Sequence, residues 1–439
     1  MRVLSIDFGT SSLKASVLDE KLNILDSVKV PYGIKVFNGD WVEMDAEEIF
    51  KAMVEAIKKL SQHSNLIGVI AFDTFSPSMV FMDENGDPLR PLIAHLDRRS
   101  KKQTQDILDI MGKERFQSIT GIQPFTGGAS ITTVMWIMEN EPELFKKTHK
   151  FGHLNTYIYR KLTGKWLTDP TNASMMGLYN TTKWTTWSDE ICSTFKVPLA
   201  KLPDIELAGA IAGNLNAETA KLCGLRQGIP VAAGSHDTTV AHEAAGNTKP
   251  GDILDVSGSN EMISILTDKP IVDDRYYLRN AMTPGQWQIF AITASGFVVD
   301  WFKKEFYKDI DDNTFFNTEI TEAIKNNIEN TSVGFLPYLA GDRQSLTPKK
   351  GGFTGMTLET TRRDLLAAIL RGIHEPIVNT INICENFMTL NKTLKLTGGM
   401  LTPEFISIKK KLLPGFNFEM KSDCPIISNA IVAIRNLSK

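Results

Sequence analysis

Two stretches of this sequence follow the same local plan, and this repetition constrains the fold more than any other feature. Residues 3–18 read VLSIDFGTSSLKASVL, and residues 252–266 read DILDVSGSNEMISIL. Each has an apolar run, a turn with a glycine and a hydroxyl residue, and a second apolar run, which is typical of a β-hairpin. Gly9-Thr10 corresponds to Gly258-Ser259, and Asp7 corresponds loosely to Asp255. The repetition predicts a chain built as two halves of one architecture.

The turns of these hairpins contain more polar groups than the formation of a turn requires. Gly9 allows backbone N–H groups to approach an anion closely, and the hydroxyls of Thr10, Ser11 and Ser12 add donors. Asp7, at a strand end, could hold a metal ion through water. One such hairpin is equally well explained as an ordinary polar turn. Two of them facing each other across a cleft would clasp a polyphosphate, so the repetition favours nucleotide binding.

Composition excludes several classes of function. The chain has 439 residues, enough for two or more domains, and its net charge of −3 creates no global attraction to nucleic acid or to a membrane. No apolar run approaches the ~18 residues of a membrane span. The cysteines are widely spaced and indicate reduced cytosolic thiols: Cys192, Cys223, Cys384 and Cys424. We therefore expect a cytoplasmic protein with no nucleic-acid or membrane partner.

Apolar patterning between the hairpins predicts an α/β fold. Residues 24–30 are predicted to form a third strand. Residues 49–60 are predicted to form a helix with one apolar face. Asp45 precedes this helix as its N-cap, with Glu48 as its capping-box partner. Strands and helices then alternate, which argues for α/β domains. Residues 308–332 are polar and Asn-rich, and we expect them at the surface.

Several polar positions at strand ends are candidate site residues. Asp237 follows the strand PVAAG and begins a small-residue helix, which places it in a cleft mouth; we interpret the adjacent His236 as structural. His95-Leu96-Asp97-Arg98-Arg99-Ser100 could grip a polyol or a phosphate, or could be a solvated helix start. Gly398-Gly399 ends another strand and would allow a flat ring to lie against bare backbone, although most such pairs are only turns.

Taken in order, these motifs resemble the FGGY family of carbohydrate kinases. The family includes xylulose, gluconate, rhamnulose and glycerol kinases and belongs to the actin-like ATPase superfamily. The resemblance covers essentially the whole chain and rests on IDFGTSS, HLDRRS, LTG…TDPTNAS…GLYN, GSHD, the Ser257-Gly258-Ser259 turn, FLPYLAGDR and LTGGM. It implies two ribonuclease-H-like α/β domains with a cleft between them: residues 1–245, which bind the sugar, and residues 246–439, which bind ATP.

The resemblance also implies roles for individual residues. Asp237 matches the catalytic base and also touches the sugar, and Asp7 matches a carboxylate associated with Mg²⁺. The substrate side comprises Ser76, Pro77, Ser78, Asp97 and Arg99. The ATP and phosphate side comprises Gly9, Thr10, Ser11, Ser12, Ser257, Gly258, Ser259, Gly296, Gly398, Gly399 and Met400.

Departures from the family pattern put the identity of the sugar in doubt. Residues 74–78 read TFSPS where xylulose kinases commonly carry Gln-Met-His-Gly, so Pro77 replaces a histidine expected to touch the sugar. Asn155 stands where an aspartate is usual, and Asn429-Ala430 replaces a Gly-Ala pair. The expected activity is transfer of the γ-phosphate of ATP to a ketose or related polyol. The partners are thus a sugar and ATP, and the oligomeric state stays open between a monomer and a homodimer.

Two rival classes share part of this pattern. An actin- or chaperone-like ATPase has the same hairpins but acts on a protein, and it would not need the groups of HLDRRS and GSHD. A catalytically silent sugar-binding regulator is disfavoured by Asp237 and by the two intact phosphate turns.

Overall fold

A computed structural model describes residues 1–339, 346 and 349–437. In chain order its strands are β1 (Arg2–Phe8), β2 (Ser12–Leu18), β3 (Ile24–Pro31), β4 (Lys35–Phe37), β5 (Trp41–Met44), β6 (Ile67–Thr74), β7 (Ser78–Met82), β8 (Leu92–Ala94), β9 (Lys150–Gly152), β10 (Leu167–Thr168), β11 (Asp204–Ile205), β12 (Ile211–Asn214), β13 (Pro230–Ala232), β14 (Ser235–His236), β15 (Ile253–Ser257), β16 (Asn260–Thr267), β17 (Tyr277–Asn280), β18 (Trp287–Ala294), β19 (Gly334–Leu336), β20 (Gly352–Thr354), β21 (Thr393–Thr397) and β22 (Asn417–Met420).

The α-helices are α1 (Ala46–Lys59), α2 (Lys101–Ile110), α3 (Lys113–Thr120), α4 (Ser130–Asn140), α5 (Pro142–Lys147), α6 (Leu154–Thr163), α7 (Pro170–Ala173), α8 (Asp189–Thr194), α9 (Ala217–Cys223), α10 (Asp237–Ala245), α11 (Gly296–Phe306), α12 (Asp312–Thr314), α13 (Ile320–Asn326), α14 (Arg362–Gly372), α15 (Glu375–Glu385), α16 (Pro403–Leu412) and α17 (Cys424–Leu437). A π-helical turn over Phe315–Glu319 joins α12 to α13. Among the described residues, no helix is both long and apolar enough to cross a lipid bilayer.

Two mixed sheets repeat one strand order. The first runs β12-β13-β6-β1-β2-β3, with β14 also paired to β6, and the second runs β17-β18-β16-β15-β21-β22. In each sheet an antiparallel hairpin, β1-β2 or β15-β16, is followed by a parallel neighbour of its first strand, β6 or β21. The predicted α/β class, with two related halves that each carry a hairpin, is confirmed.

The repeat is offset by one residue at the two aspartates. Asp7 lies two residues before Gly9, whereas Asp255 lies three residues before Gly258. Because side chains alternate between the faces of a strand, the offset places the two aspartates on different strand faces relative to the turn glycine. Asp255 accordingly is buried beneath the second turn, where it accepts hydrogen bonds from Lys409 Nζ (2.6 Å) and Ser257 Oγ (2.8 Å).

The C-terminal helix α17 packs against the first sheet, far from it in sequence. A buried apolar cluster joins the two and contains Val3, Leu18, Val69, Ala71, Ala232, Ile426, Ala430 and Ala433. The Oγ of Ser428 accepts a hydrogen bond from the backbone N–H of Ala244 (2.9 Å), which links α17 to α10 as well. The predicted division of the chain at residue 245 stays a prediction.

Two local predictions need correction. Asp45 caps α1 by accepting hydrogen bonds from Glu47 and Glu48, but the Glu48 carboxylate accepts from the backbone N–H of Gly33 (3.0 Å) and does not close the capping box. The expectation of a surface segment at 308–332 is wrong in part. A buried cluster takes up its apolar residues, among them Phe315, Ile320, Ile324 and Ile328.

Candidate active site

The first turn connects β1 and β2 and is tightly closed. The backbone N–H of Gly9 donates to the carbonyl of Ser12 (3.1 Å), and the Tyr32 hydroxyl donates to the carbonyl of Gly9. A side chain at Gly9 would place its Cβ 3.1 Å from the Ser12 carbonyl oxygen, which favours glycine there. Thr10 and Ser11 line a cavity between the two sheets.

Two carboxylates lie side by side beneath this turn. Asp7 on β1 and Asp73 on β6 are direct neighbours in the parallel register. Burial, followed by the charge of Asp237, raises the pKa of Asp7 to about 6, and burial beside Asp7 raises the pKa of Asp73 well above its usual range. Asn429 Nδ2 donates to Asp73 Oδ2 (2.6 Å), while no amide or hydroxyl group of the described residues donates to the buried Asp73 Oδ1.

These carboxylates fit a Mg²⁺ ion that keeps most of its water. Mg²⁺ is usually bound through one or two carboxylates together with substrate phosphates, rather than by a cage of protein ligands. The described residues contain no group of three or more His, Cys, Asp or Glu side chains that could form such a cage. Sequence reasoning missed Asp73, although an aspartate that ends the apolar run IAFDT is the same signal that singled out Asp7.

Asp237 is the first residue of α10 and reaches the cavity. Its Oδ1 accepts a hydrogen bond from the backbone N–H of Thr238 (2.6 Å) and lies 2.7 Å from His236 Nδ1. Its side chain is one-quarter exposed (25%). Burial opposes ionisation, but the contact with His236 and the Thr238 N–H outweigh it, so the pKa of Asp237 lies below its usual value. The carboxylate is therefore ionised at neutral pH.

His236 supports Asp237 from a buried position. Burial is the largest cause that lowers the pKa of His236, followed by the charge of Arg279, so the imidazole is neutral at pH 7. Its backbone N–H donates to Thr171 Oγ1 (2.8 Å), and the expected structural role of His236 stays a prediction. His236 also lines the cavity.

The second turn and the segments assigned to the nucleotide form one contiguous surface. The backbone N–H of Gly296 donates to the Gly258 carbonyl (3.2 Å), and that of Met400 donates to the Ser257 carbonyl (3.1 Å). Gly398 has φ +120°, and a Cβ there would lie 2.1 Å from the Ser257 carbonyl oxygen. Because glycine has no Cβ, residue 398 allows the end of β21 to pack closely against the second turn.

The residues assigned to the sugar separate into two groups. Ser76 and Pro77 line the cavity, and so do His95 and Arg98 from the HLDRRS segment. Ser78 is buried in β7.

Asp97 and Arg99 are buried away from the cavity lining and pair with each other. Arg99 Nη2 lies 2.8 Å from both Asp97 Oδ2 and Glu43 Oε1. The guanidinium carbon also lies 4.0 Å from the Trp41 ring centroid. A contact of Asp97 or Arg99 with the sugar stays a prediction.

The departure at Asn155 has a local explanation. Asn155 Nδ2 donates to Asp169 Oδ2 (3.0 Å), and both residues are buried. An aspartate at 155 could make this contact only if one of the two carboxyl groups were protonated. In the motif FLPYLAGDR, residues 340–343 lie outside the described residues.

The cavity brings the two halves of the molecule together. It has a volume of about 570 Å³ and contains Thr10, Ser11, Ser76, Pro77 and Asp237 from the first half, with Ser259 and Asn260 from the second. Apolar side chains form much of its wall: Phe75, Ile122, Phe125, Met175, Met262, Tyr277, Phe290 and Ile292. The wall also includes Arg279, which the sequence analysis did not single out. The signal that could have identified it is the presence of an arginine within the otherwise largely apolar strand β17.

Comparison with known proteins shows which family and which relatives this sequence matches. Residues 2–242 match the model of the N-terminal domain of the FGGY family of carbohydrate kinases. The chain is 26% identical over 419 residues to a xylulose kinase of Staphylococcus xylosus, covering 93% of this chain and 85% of that protein. It is 27% identical over 383 residues to a gluconokinase of Bacillus licheniformis, covering 84% of this chain and 74% of that protein.

A solved structure is similar over the whole chain. The ligand-bound xylulose kinase of Lactobacillus acidophilus superposes with a TM-score of 0.90 at 21% identity, covering 100% of this chain and 89% of that one. At that identity the likeness establishes the fold, and the predicted α/β fold with two related halves is confirmed.

Proposed function

Because the chain belongs to the FGGY family of carbohydrate kinases, we propose that it transfers the γ-phosphate of ATP to a hydroxyl group of a ketose or related open-chain polyol. One observation carries this proposal: Asp237 and the two phosphate turns border the same cavity. A carboxylate that can accept a proton thus lies next to two turns suited to hold a polyphosphate. The similarity to xylulose kinases and gluconokinases supports a polyhydroxylated acceptor.

Phosphoryl transfer depends mainly on positioning and on charge neutralisation. In the proposed reaction the acceptor hydroxyl oxygen attacks the γ-phosphorus, the bond to the β-phosphate oxygen breaks, and Asp237 accepts the hydroxyl proton. Thr10, Ser11 and Ser259 provide donors to the phosphates, and Gly258 leaves room for the phosphates at the second turn. Asp7 and Asp73 would hold Mg²⁺, which neutralises phosphate charge when it is bound.

We further propose that residues 1–245 bind the sugar and residues 246–439 bind the nucleoside. Gly296, Gly398 and Met400 meet the second turn in the later half, which supports this division. The four cysteines are buried and free, which supports a location in the reducing cytoplasm.

The test is a panel of ketoses, alditols, sugar acids and glycerol with ATP and Mg²⁺, followed by ADP release. We expect a ketose or a related open-chain polyhydroxy compound, sugar acids included, to give the highest kcat/KM. D-Xylulose should be a poor substrate, because Pro77 offers the sugar no hydrogen bond from its side chain. Glycerol as the best acceptor would refute the proposed substrate class. ATP hydrolysis that responds to a protein and to none of these acceptors would favour the actin- or chaperone-like alternative.

A further inference from the structure

Arg279 on β17 is a fully buried cation in the wall of the cavity. Its side chain has no exposed surface, yet the residue borders the same space as Asp237. Nε donates to Gln288 Oε1 (2.8 Å), and Nη2 donates to Thr238 Oγ1 (2.9 Å). The guanidinium carbon lies 4.5 Å from the ring centroid of Phe290. The direct partners of this cation are therefore an amide, a hydroxyl and an aromatic ring, all of them neutral.

The charge of Arg279 is only partly balanced. Within the described part of the chain no carboxylate forms an ion pair with it, and Asp237 acts on it only through space. Asp237 itself is bonded to His236 and to the N–H of Thr238. Burial lowers the pKa of Arg279 to about 9. Because a buried cation is costly without a paired anion, an anionic group in the cavity would find a ready partner here.

In a kinase reaction the anionic partner of Arg279 is either the phosphates of ATP or an anionic group of the acceptor. The strand register bears on which of the two lies near Arg279. Asn260, which borders the second phosphate turn, pairs with Ala294 on β18, whereas Arg279 pairs with Gln288. Gln288 is six residues from Ala294, or about 20 Å along the strand. The guanidinium lies over Phe290, still about 13 Å from Ala294 on the same scale. Arg279 is thus distant from the second phosphate turn along the strand, and its contact with Thr238 places it next to Asp237, where the acceptor hydroxyl is proposed to lie.

We propose that Arg279 selects an acceptor that carries a carboxylate, a polyhydroxy acid of the aldonate type. This inference rests on the proposed kinase function and specifies which open-chain polyol the site takes. The acceptor would place a hydroxyl at Asp237 and its carboxylate at Arg279, next to Thr238. A guanidinium fork matches a carboxylate in shape as well as in charge. Arg99 pairs with Asp97 and Glu43 and does not line the cavity, whereas Arg98 lines it but is half-buried. Among the described residues, Arg279 is the fully buried guanidinium in the cavity wall.

The first test uses the wild-type enzyme and matched acceptors. An aldonate is compared with the alditol and the ketose of the same carbon chain, and ADP release gives kcat/KM for each. We expect the aldonate to be preferred by on the order of 10²-fold, since a buried charged pair contributes about that much to binding. A neutral acceptor that outperforms the aldonate would overturn this inference and leave the kinase proposal intact. Failure of every acceptor would instead reject the kinase proposal.

The second test uses Arg279→Gln and Arg279→Lys. We expect Gln to raise KM for the aldonate by on the order of 10²-fold while KM for the alditol changes little. Lys keeps the charge but loses the fork and should be intermediate. Arg275→Gln is the matched control, because Arg275 is exposed and paired with Asp273, and it should behave as the wild type.

Measurement of ATP affinity distinguishes whether Arg279 binds the carboxylate of the acceptor or the phosphates of the nucleotide. A rise in the Kd of ATP in Arg279→Gln, with equal losses for charged and neutral acceptors, would assign Arg279 to the nucleotide phosphates and overturn the inference. An unchanged Kd of ATP with a loss confined to the aldonate supports it. If the variants fail to fold, the wild-type comparison of aldonate with alditol decides alone.

Discussion

Asp237 combines two properties that a proton acceptor needs in this cavity. It is ionised at neutral pH, and both of its hydrogen-bonding contacts involve Oδ1. Within the described residues nothing donates to Oδ2, so that oxygen can receive a proton from an acceptor hydroxyl. The same carboxylate also stabilises the start of α10 through the N–H of Thr238, and the two roles can be separated by substitution.

We expect Asp237→Asn to lower kcat by ~10²–10⁴-fold, the usual contribution of a positioned general base. Asparagine keeps the size of the side chain and stabilises a helix start about as well as aspartate, but it cannot accept the proton. Sugar and ATP should still bind, as measured by calorimetry. Asp45→Asn, at the N-cap of α1, is a control for loss of a capping carboxylate. Near-normal turnover of Asp237→Asn would limit the role of Asp237 to stabilising the start of α10 through the N–H of Thr238.

His153 provides a second residue-level prediction, which concerns pH and stability. It is buried, its Nε2 lies 2.7 Å from Ser130 Oγ, and burial together with nearby His236 lowers its pKa to about 3. The unfolded chain has a histidine pKa of about 6.5, so it binds more protons than the folded protein between roughly pH 3 and 6.5. The contribution of His153 to the free energy of unfolding therefore decreases as the pH falls through this range.

His153→Gln should remove this part of the pH dependence. Between pH 7 and pH 5, the free energy of unfolding of the wild type should fall by about 2 kcal/mol more than that of the variant. Urea unfolding at both pH values measures the difference. His149→Gln, at an exposed position, controls for loss of an imidazole and should follow the wild type. Parallel pH profiles for wild type and His153→Gln would show that His153 is protonated alike in both states.

At the scale of elements, the two hairpins were predictable because their signals are local. Apolar runs on either side of a glycine turn specify β1-β2 and β15-β16 without reference to the rest of the chain. The contacts that individual side chains make were harder to predict. Glu48 bonds Gly33 rather than its own helix start, and Phe315 is drawn into a core from a polar segment. Both depend on neighbours that the local pattern does not reveal.

The second turn permits a direct test of nucleotide binding. A Cβ at Gly258 would have only the Asn260 carbonyl oxygen near it, at 3.6 Å, so the folded protein can accommodate Gly258→Val. The branched side chain would occupy the space proposed for the phosphates, and ATP affinity should fall by about tenfold or more as backbone contacts are lost. Calorimetry should show sugar binding largely kept.

Gly415→Val is the matched control for this substitution. Gly415 likewise has no positive φ, and a Cβ added there would meet no atom within 4 Å, but it lies in a turn after α16. It should bind ATP as the wild type does. Unchanged ATP affinity in Gly258→Val would remove this turn from the nucleotide site.

At the scale of the whole molecule, the contacts that complete the site join distant parts of the sequence. Asn429 reaches Asp73, and Arg279 reaches Thr238, across 356 and 41 residues respectively. The sequence pattern predicted that Asp237 and the phosphate turns would meet, because the family resemblance orders them. It did not predict Asp73 or Arg279, since the importance of each arises only from the residues packed against it.

The position of α17 leads to the last prediction. Ala433 is fully buried in the apolar cluster that joins this helix to the first sheet and that also contains Val3, Val69 and Ala71. Ala433→Leu should lower the free energy of unfolding by ~1–3 kcal/mol through overpacking. Because α17 also holds α10 through Ser428, displacement of the helix should shift Asp237 and lower kcat as well. Arg435→Lys, at a half-exposed position of the same helix, keeps a cation facing Glu243 and should cost no more than about 1 kcal/mol. Denaturant unfolding and ADP release measure both effects. Wild-type stability in Ala433→Leu would mean that α17 is not a packed part of the first half.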